Sequence, residues 1–300
     1  MAKLEYKFRP SKTVQRGMIV DVCRRLSVFA PLPEYQYVGF GGLEFIDFDL
    51  MHRALGITNM TSLEKDFRAI ERYEFNAPFK TVKVLAGSSS EQLIYVDWAP
   101  LSIVWLDYVC ELERSVLETD IALLCARLQP GSALFVTLNA HPEAVEAKRK
   151  EKLAKNVGED RIPSGVTGEN LAIWGLADVQ RTILTDAIEE GLRNRPVPAK
   201  WHQVLNIRYA DGGKMQTLGG VVVGPGMQKS VEQCGFGELD FVRTGKDALV
   251  IRVPMLTQRE RLHLERQVPL ESGASLDLPG LSQEDKDAFL AVYRYERLAS

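Results

Sequence analysis

Apolar positions along this chain alternate between two periods, and each switch marks an element. Residues 11–29, "SKTVQRGMIVDVCRRLSVF", set Val14, Met18, Val22 and Leu26 at helical spacing behind Ser11, a residue able to cap a helix. Two prolines in "APLPEY" interrupt the chain, and "YQYVGF" (35–40) reads as a short buried strand. From Phe45 to Leu55 the period is helical again, until Gly56 stops it. The same exchange then repeats. Residues 60–66 form a strand, followed by the polar helix "FRAIERYEFN", the strand "KTVKVLAGS" and the strand "LSIVWLDY". The helix "LERSVLETDIALLCARL" and the strand "ALFVTLNAH" come next. Strands alternating with helices predict right-handed βαβ units and a doubly wound, mainly parallel sheet. A strand as apolar as 101–108 predicts burial on both faces.

The pattern changes after His141. Residues 143–169 are charged, then rich in Gly, Ser and Pro, and read as an exposed helix running into a loop. Their cations (Lys148, Arg149, Lys150, Lys152, Lys155) read as a solvated face. "LADVQRTILTDAIEEGLRN" is an amphipathic helix. "WHQVLNIRYADGGKMQTLGGVVVG" predicts a two-stranded antiparallel hairpin with a type I′ turn at Asp211-Gly212. "DALVIRVPML" predicts one more strand, and two helices, 257–268 and 282–298, end the reading.

Bulk properties narrow the class. The chain has 300 residues, 45% hydrophobic and 26% charged, with a net charge of −3. That is ordinary for a globular protein and unlike a chain that coats nucleic acid along its length. Nothing in the sequence has the pattern of a signal peptide or a membrane span, so a cytoplasmic protein is expected. Cys23, Cys110, Cys125 and Cys234 lack CxxC spacing and read as free thiols. Four scattered histidines argue against a histidine-rich metal site, and no metal is expected.

Candidate chemistry lies at the strand ends. Gly39, Phe40, Gly41 and Gly42 follow the first strand, where glycine serves either a turn needing positive φ or a backbone that a ligand approaches closely. Glu64, with Lys65 beside it, ends the second strand, where an acid can accept hydrogen bonds from both ribose hydroxyls. Ser88 and Ser89 end the third, leaving room for a flat base, and Asp107 and Tyr108 end the fourth. Glycines, an acid, small polar residues and an acid at four consecutive strand ends favour a ligand. The ligand reading places the obstruction from a side chain at Gly41 in the pocket rather than the core. Leu43 and Glu44 depart from the GxGxxG of dinucleotide sites, and a glutamate there would repel a pyrophosphate. An adenosine compound without phosphate is therefore favoured. His141, directly after the fifth strand, is a further candidate base, and Lys12 and Arg16 share one face of the first helix.

From Tyr35 to Ala140 these motifs resemble the class I, Rossmann-like S-adenosylmethionine-dependent methyltransferases, nearest to the O-methyltransferases. "YVGFGG" looks like their glycine-rich motif and "SLEKD" like the one whose acid holds the ribose. "AGSSSEQL" stands where the adenine loop does, and "LCARLQPGSALFVTLN" is similar to the passage into the fifth strand. The resemblance implies S-adenosylmethionine as cofactor, bound by Gly39, Phe40, Gly41, Gly42, Glu64, Lys65, Ser88 and Ser89. Lys12 and Arg16 would close over its carboxylate, and Asp107, Tyr108 and His141 would serve catalysis. It also implies an antiparallel hairpin at the sheet edge. The chain divides accordingly into an N-terminal helical cap (1–34), a Rossmann-like core (35–141), a helical insertion or lid (142–200), and the remaining strands with C-terminal helices (201–300).

Tyr37 stands two before Gly39, where the family often has an acid, and serines replace a common aspartate in the adenine loop. "WLDY" is not the Asn/Asp-Pro-Pro-Tyr/Phe of amino-directed nucleic-acid enzymes, so a nucleic-acid acceptor is not favoured; it rests on the basic residues of 1–25 and 148–155 alone. The leading reading is an O-directed methyltransferase of prokaryotic type with a small-molecule or macromolecular acceptor. The alternative is a non-catalytic subunit with the same fold, in a larger prokaryotic assembly such as a defence complex. A homo-oligomer or a protein partner is compatible with either.

Overall fold

The computed structural model describes residues 9–271 and 273–296. In chain order, its elements begin with α1 (Pro10–Arg25), β1 (Gln36–Gly39), α2 (Ile46–Leu55), β2 (Asn59–Glu64) and α3 (Ile70–Asn76). β3 (Val82–Ala86), α4 (Ser89–Gln92), β4 (Ser102–Asp107), α5 (Ala122–Arg127), β5 (Ala133–Asn139) and α6 (Glu146–Val157) follow. The rest are α7 (Gly175–Arg193), β6 (Lys200–Ala210), β7 (Lys214–Val223), α8 (Gln228–Gln233), β8 (Leu249–Val250), α9 (Gln258–Glu265) and α10 (Gln283–Val292).

One sheet joins all eight strands in the order β3-β2-β1-β4-β5-β7-β6-β8. β1 to β5 are parallel to one another, and β7 lies antiparallel between β5 and β6. The order reverses between β1 and β4, and at such a point the strand ends leave a crevice. The doubly wound sheet with an antiparallel hairpin is as expected from the sequence.

Side chains alternate along the central strands, and the two sets build the two cores. Tyr37, Ile103, Trp105 and Phe135 face α1 and α2, packing with Val14, Met18, Phe48 and Met51. Val38, Val104, Leu106, Leu134 and Val136 face the other way, against Leu124, Ile183, Leu184 and Ile188. The residues predicted as a lid therefore divide. α6 buries only Leu153 and Val157, whereas α7 covers the sheet along a whole stripe, Leu176, Ile183, Leu184, Ile188 and Leu192.

Three other expectations change. The hairpin loop has three residues, since Ala210 pairs with Lys214, and Gly212 takes φ +85°. Asp211 in that loop accepts a hydrogen bond from the Lys12 amide at 2.9 Å, serving a first-turn donor of α1 that has no partner within the helix. The strand over 247–256 shrinks to Leu249–Val250, paired with Ile207 and Arg208; Pro254 has no amide to extend it. The helix over 112–128 contains a π-helical segment, Val116–Ile121, ahead of α5. The C-terminal helices pack around a small cluster of their own, Leu264, Leu276 and Phe289. Residues 297–298 of the last predicted helix, and Lys3 and Lys7 of the basic arm, lie outside the described residues.

Candidate active site

The carboxyl ends of β1, β2, β3 and β4 open into a cavity of about 610 Å³, within the range that small-molecule ligands occupy. Its wall runs from Phe40–Glu44 through Leu63–Asp66 and Gly87–Ser90 to Asp107–Cys110. Arg16, Asp47, Tyr73, Val116 and Asp120 also line it.

The turn after β1 is built around a carboxylate. Glu64 is buried, and its Oε1 accepts from the amides of Gly41 (2.9 Å) and Gly42 (3.1 Å) and from Ser62 Oγ (2.6 Å). None of these bonds uses Oε2. Burial raises the Glu64 carboxyl above its ordinary pKa, and the three donors only partly oppose it. The turn passes through Gly42 at φ +57° and Phe45 at φ +48°, the latter an uncommon conformation for a bulky side chain that immediately precedes α2. Phe45 remains in it with its ring fully buried, edge to face with Phe48 at 5.3 Å.

The glycines differ in what they avoid. A Cβ on Gly41 would stand 2.4 Å from the Phe45 ring and 2.7 Å from Ser62 Oγ; one on Gly39 would meet the Tyr37 hydroxyl and the Trp105 carbonyl oxygen. Both collisions are with the protein's own packing, so the pocket obstruction anticipated at Gly41 is corrected to one in the core. Gly42 faces open space and owes its identity to its left-handed backbone. Gly41→Val is expected to lower unfolding stability by about 1–3 kcal/mol in a urea titration, as overpacked core sites do. Unchanged stability would contradict this packing account.

Two buried ion pairs join α1 to the site. Arg16 Nε contacts Asp47 Oδ1 at 2.6 Å, and both residues line the cavity. Lys12 Nζ contacts Asp107 Oδ1 at 2.7 Å and lies 4.6 Å from the centre of the Trp105 ring. Lys12 is only 2% exposed and is not among the lining residues, which corrects its expected contact with a cofactor: Asp107 and Trp105 claim its ammonium. Burial lowers the Lys12 pKa, while Asp107 acts in the opposite direction. Among the described residues, none donates a hydrogen bond to Asp107 Oδ2.

The remaining expected residues separate. Gly39 lies behind the lining, under its turn. Ser88 and Ser89 line the cavity, Ser88 in a capping box with Glu91 at the start of α4. Lys65 lines it from an exposed position. Tyr108 closes one side, its ring 5.2 Å from Phe40. His141 is exposed and does not line the cavity, because β5 ends at Asn139 and the chain has already turned to solvent. No residue of 142–200 lines it either.

Asp47, Tyr73 and Asp120 went unnoticed in the sequence. Asp120 did leave a signal there. It falls between Val116 and Leu124 at four-residue spacing, an acid on the apolar stripe of its helix.

With this geometry in view, the sequence comparison decides the family. The model of a family described as "Putative O-methyltransferase" matches residues 4–296. The chain belongs to that family. Among solved structures it is similar to an O-methyltransferase from Bacillus cereus in complex with SAH (15% identity, 71% of this chain and 81% of that one, TM-score 0.36). It is also similar to cofactor-bound Rv0187 from MTB (15%, 69% and 79%, TM-score 0.37). A third is an O-methyltransferase family protein from Burkholderia thailandensis (14%, 69% and 56%, TM-score 0.37). At these identities the likeness concerns the fold alone. A search of curated protein sequences finds no significant match. Among the described residues, no helix is long and apolar enough to cross a membrane.

Proposed function

We propose that the chain is an S-adenosylmethionine-dependent methyltransferase acting on an oxygen nucleophile, with the cavity at the β1/β4 crevice as its site. One observation carries this reading. Among the described residues, the lining is rich in carboxylates (Glu44, Asp47, Glu64, Asp66, Asp107, Glu113 and Asp120) against two cations, Arg16 and Lys65, and Glu44 Oε2 is buried without a hydrogen-bond partner. Such a wall repels phosphate and suits a ligand carrying a sulfonium and an ammonium. A partnerless buried carboxylate oxygen is costly in isolation, and a cationic donor would satisfy it.

When bound, S-adenosylmethionine supplies an electrophilic methyl group. The chain supplies position and proton handling. Glu64 would accept the ribose hydroxyls at Oε2 while its Oε1 keeps the glycine turn in place. Glu44 would hold the ammonium, and Arg16, oriented by Asp47, the carboxylate. Asp107 would take the proton of the acceptor hydroxyl at Oδ2, the oxygen that Lys12 leaves free. Phe40 and Tyr108 keep water from that side of the cavity.

Label from methyl-labelled S-adenosylmethionine should pass to an extract fraction in a base-stable, ether-like linkage. Transfer only to nitrogen or carbon would contradict the O-directed part of the proposal.

Glu64→Gln should weaken binding of S-adenosylhomocysteine by about 1.5–3 kcal/mol, the worth of a hydrogen bond to a charged group. Because burial raises the Glu64 carboxyl, wild-type affinity should fall as the pH is lowered toward its ordinary pKa, with the decline beginning above it. The Gln variant should lack that limb. Equal affinity of the two proteins in calorimetry at neutral pH would remove Glu64 from the ribose.

A further inference from the structure

The proton transfer proposed above leaves one fully buried carboxylate unused. Asp120 sits on the π-helical segment, and its three partners are all hydroxyls. Oδ2 accepts from Ser89 Oγ at 2.5 Å and from the Tyr108 hydroxyl; Oδ1 accepts from Ser90 Oγ at 2.6 Å. Ser89 and Ser90 open α4 and Tyr108 follows β4, and all three line the cavity. The extra residue per π turn alters where a helix aims its side chains, and such segments are frequent at functional sites.

The hydrogen bookkeeping restricts what this wall can recognise. A hydroxyl has one proton and two lone pairs. Each of the three protons is committed to the Asp120 carboxylate. The Ser89 and Tyr108 oxygens lie 3.4 Å apart, and a bond between them would take a proton from that carboxylate. Burial, and next the Asp120 charge, hold the Tyr108 phenol well above its ordinary pKa, so it keeps its proton at neutral pH. The three hydroxyls therefore turn lone pairs, and no proton, toward the cavity.

We infer that Asp120 sets the base specificity of the cavity. By committing the protons of Ser89, Ser90 and Tyr108, it selects an exocyclic amine over a carbonyl at the one purine position that faces those hydroxyls. This rests on the proposed adenosyl ligand, with its base beside β3 and its ribose at Glu64. Asp120 acts through the three hydroxyls and is a positioning residue.

Calorimetry with S-adenosylhomocysteine and its deaminated analogue, S-inosylhomocysteine, tests the inference on the intact chain. The wild type should bind the adenosyl compound at least ~10-fold more tightly, since a carbonyl facing lone pairs leaves buried acceptors unpaired. Asp120→Asn can donate from its amide to a serine oxygen and free that hydroxyl's proton for the cavity. It should bring the two affinities to within about threefold of each other, with the inosyl compound bound no more weakly than by the wild type. Equal wild-type affinities would overturn the inference and leave the adenosyl reading standing. Binding of neither compound would overturn both. An Asn variant that loses both ligands in proportion would reduce Asp120 to a structural residue. Should that variant fail to fold, Ser89→Ala and Ser90→Ala, which remove hydroxyls that Asp120 holds, should each narrow the wild-type ratio, and a ratio unchanged in both would overturn the inference.

Discussion

Asp107→Ala is expected to lower methyl-transfer turnover by about 10²–10⁴-fold, the usual worth of a positioned general base, with little change in affinity for S-adenosylhomocysteine. The expectation follows from how the residue is held. Lys12 fixes Oδ1 from beneath, Trp105 covers the ammonium, and Oδ2 is the acceptor that remains. Since Lys12 is not part of the lining, its effect on turnover has to pass through Asp107. Lys12→Met should therefore also depress turnover, and adding it to Asp107→Ala should cost little more than Asp107→Ala alone, as residues acting in one network do. Kinetics of the two single variants and the double variant, with folding checked by circular dichroism, would measure this. Additive losses would separate the residues. An Asp107→Ala protein with full turnover would remove the proposed base, and a wild type that binds the ligand yet transfers no methyl group would favour the non-catalytic subunit.

The second large effect concerns the other buried pair. Arg16→Met should cost about 3–5 kcal/mol of unfolding free energy, because it leaves the Asp47 carboxylate buried without its cation. Arg16→Met combined with Asp47→Asn should recover most of that loss, since an apolar side chain beside an amide carries no unpaired charge. Ligand affinity should not recover with it. If Arg16 serves the ligand's carboxylate, the stable double variant still binds S-adenosylhomocysteine weakly. Recovery of affinity together with stability would make the pair purely structural. Urea unfolding and calorimetry on the same preparations separate these outcomes.

The parts of the fold that depend on periodicity were legible in the sequence. Tyr37 and Val38, or Val104 and Trp105, alternate between two cores because a strand's side chains do, and the apolar run 101–108 announced a strand buried on both faces. Element types followed from such runs, and the glycine turn and the acid ending β2 could be located from them. Longer-range pairings were not legible. No local pattern indicates that Lys12 reaches Asp107 or that Arg16 reaches Asp47, since each pair joins α1 to a distant segment only after the sheet is assembled. Gly41 was misread for the same reason. Its spacing suits a ligand, yet the atoms that exclude a side chain belong to Phe45, whose left-handed backbone no composition rule reveals. The amphipathic stripe of 175–193 is legible in the sequence, but what it packs against is not, and only the assembled sheet shows that it seats α7 there rather than in a lid.

The account depends most on what occupies the cavity at the β1/β4 crevice. A crystal structure of the chain grown with S-adenosylhomocysteine tests that directly. It should show the ribose hydroxyls within hydrogen-bond distance of Glu64, the amino-acid end between Glu44 and Arg16, and the sulfur on the side of the cavity nearest Asp107. A ligand bound elsewhere, or a cavity left without ligand at saturating concentration, would contradict the account.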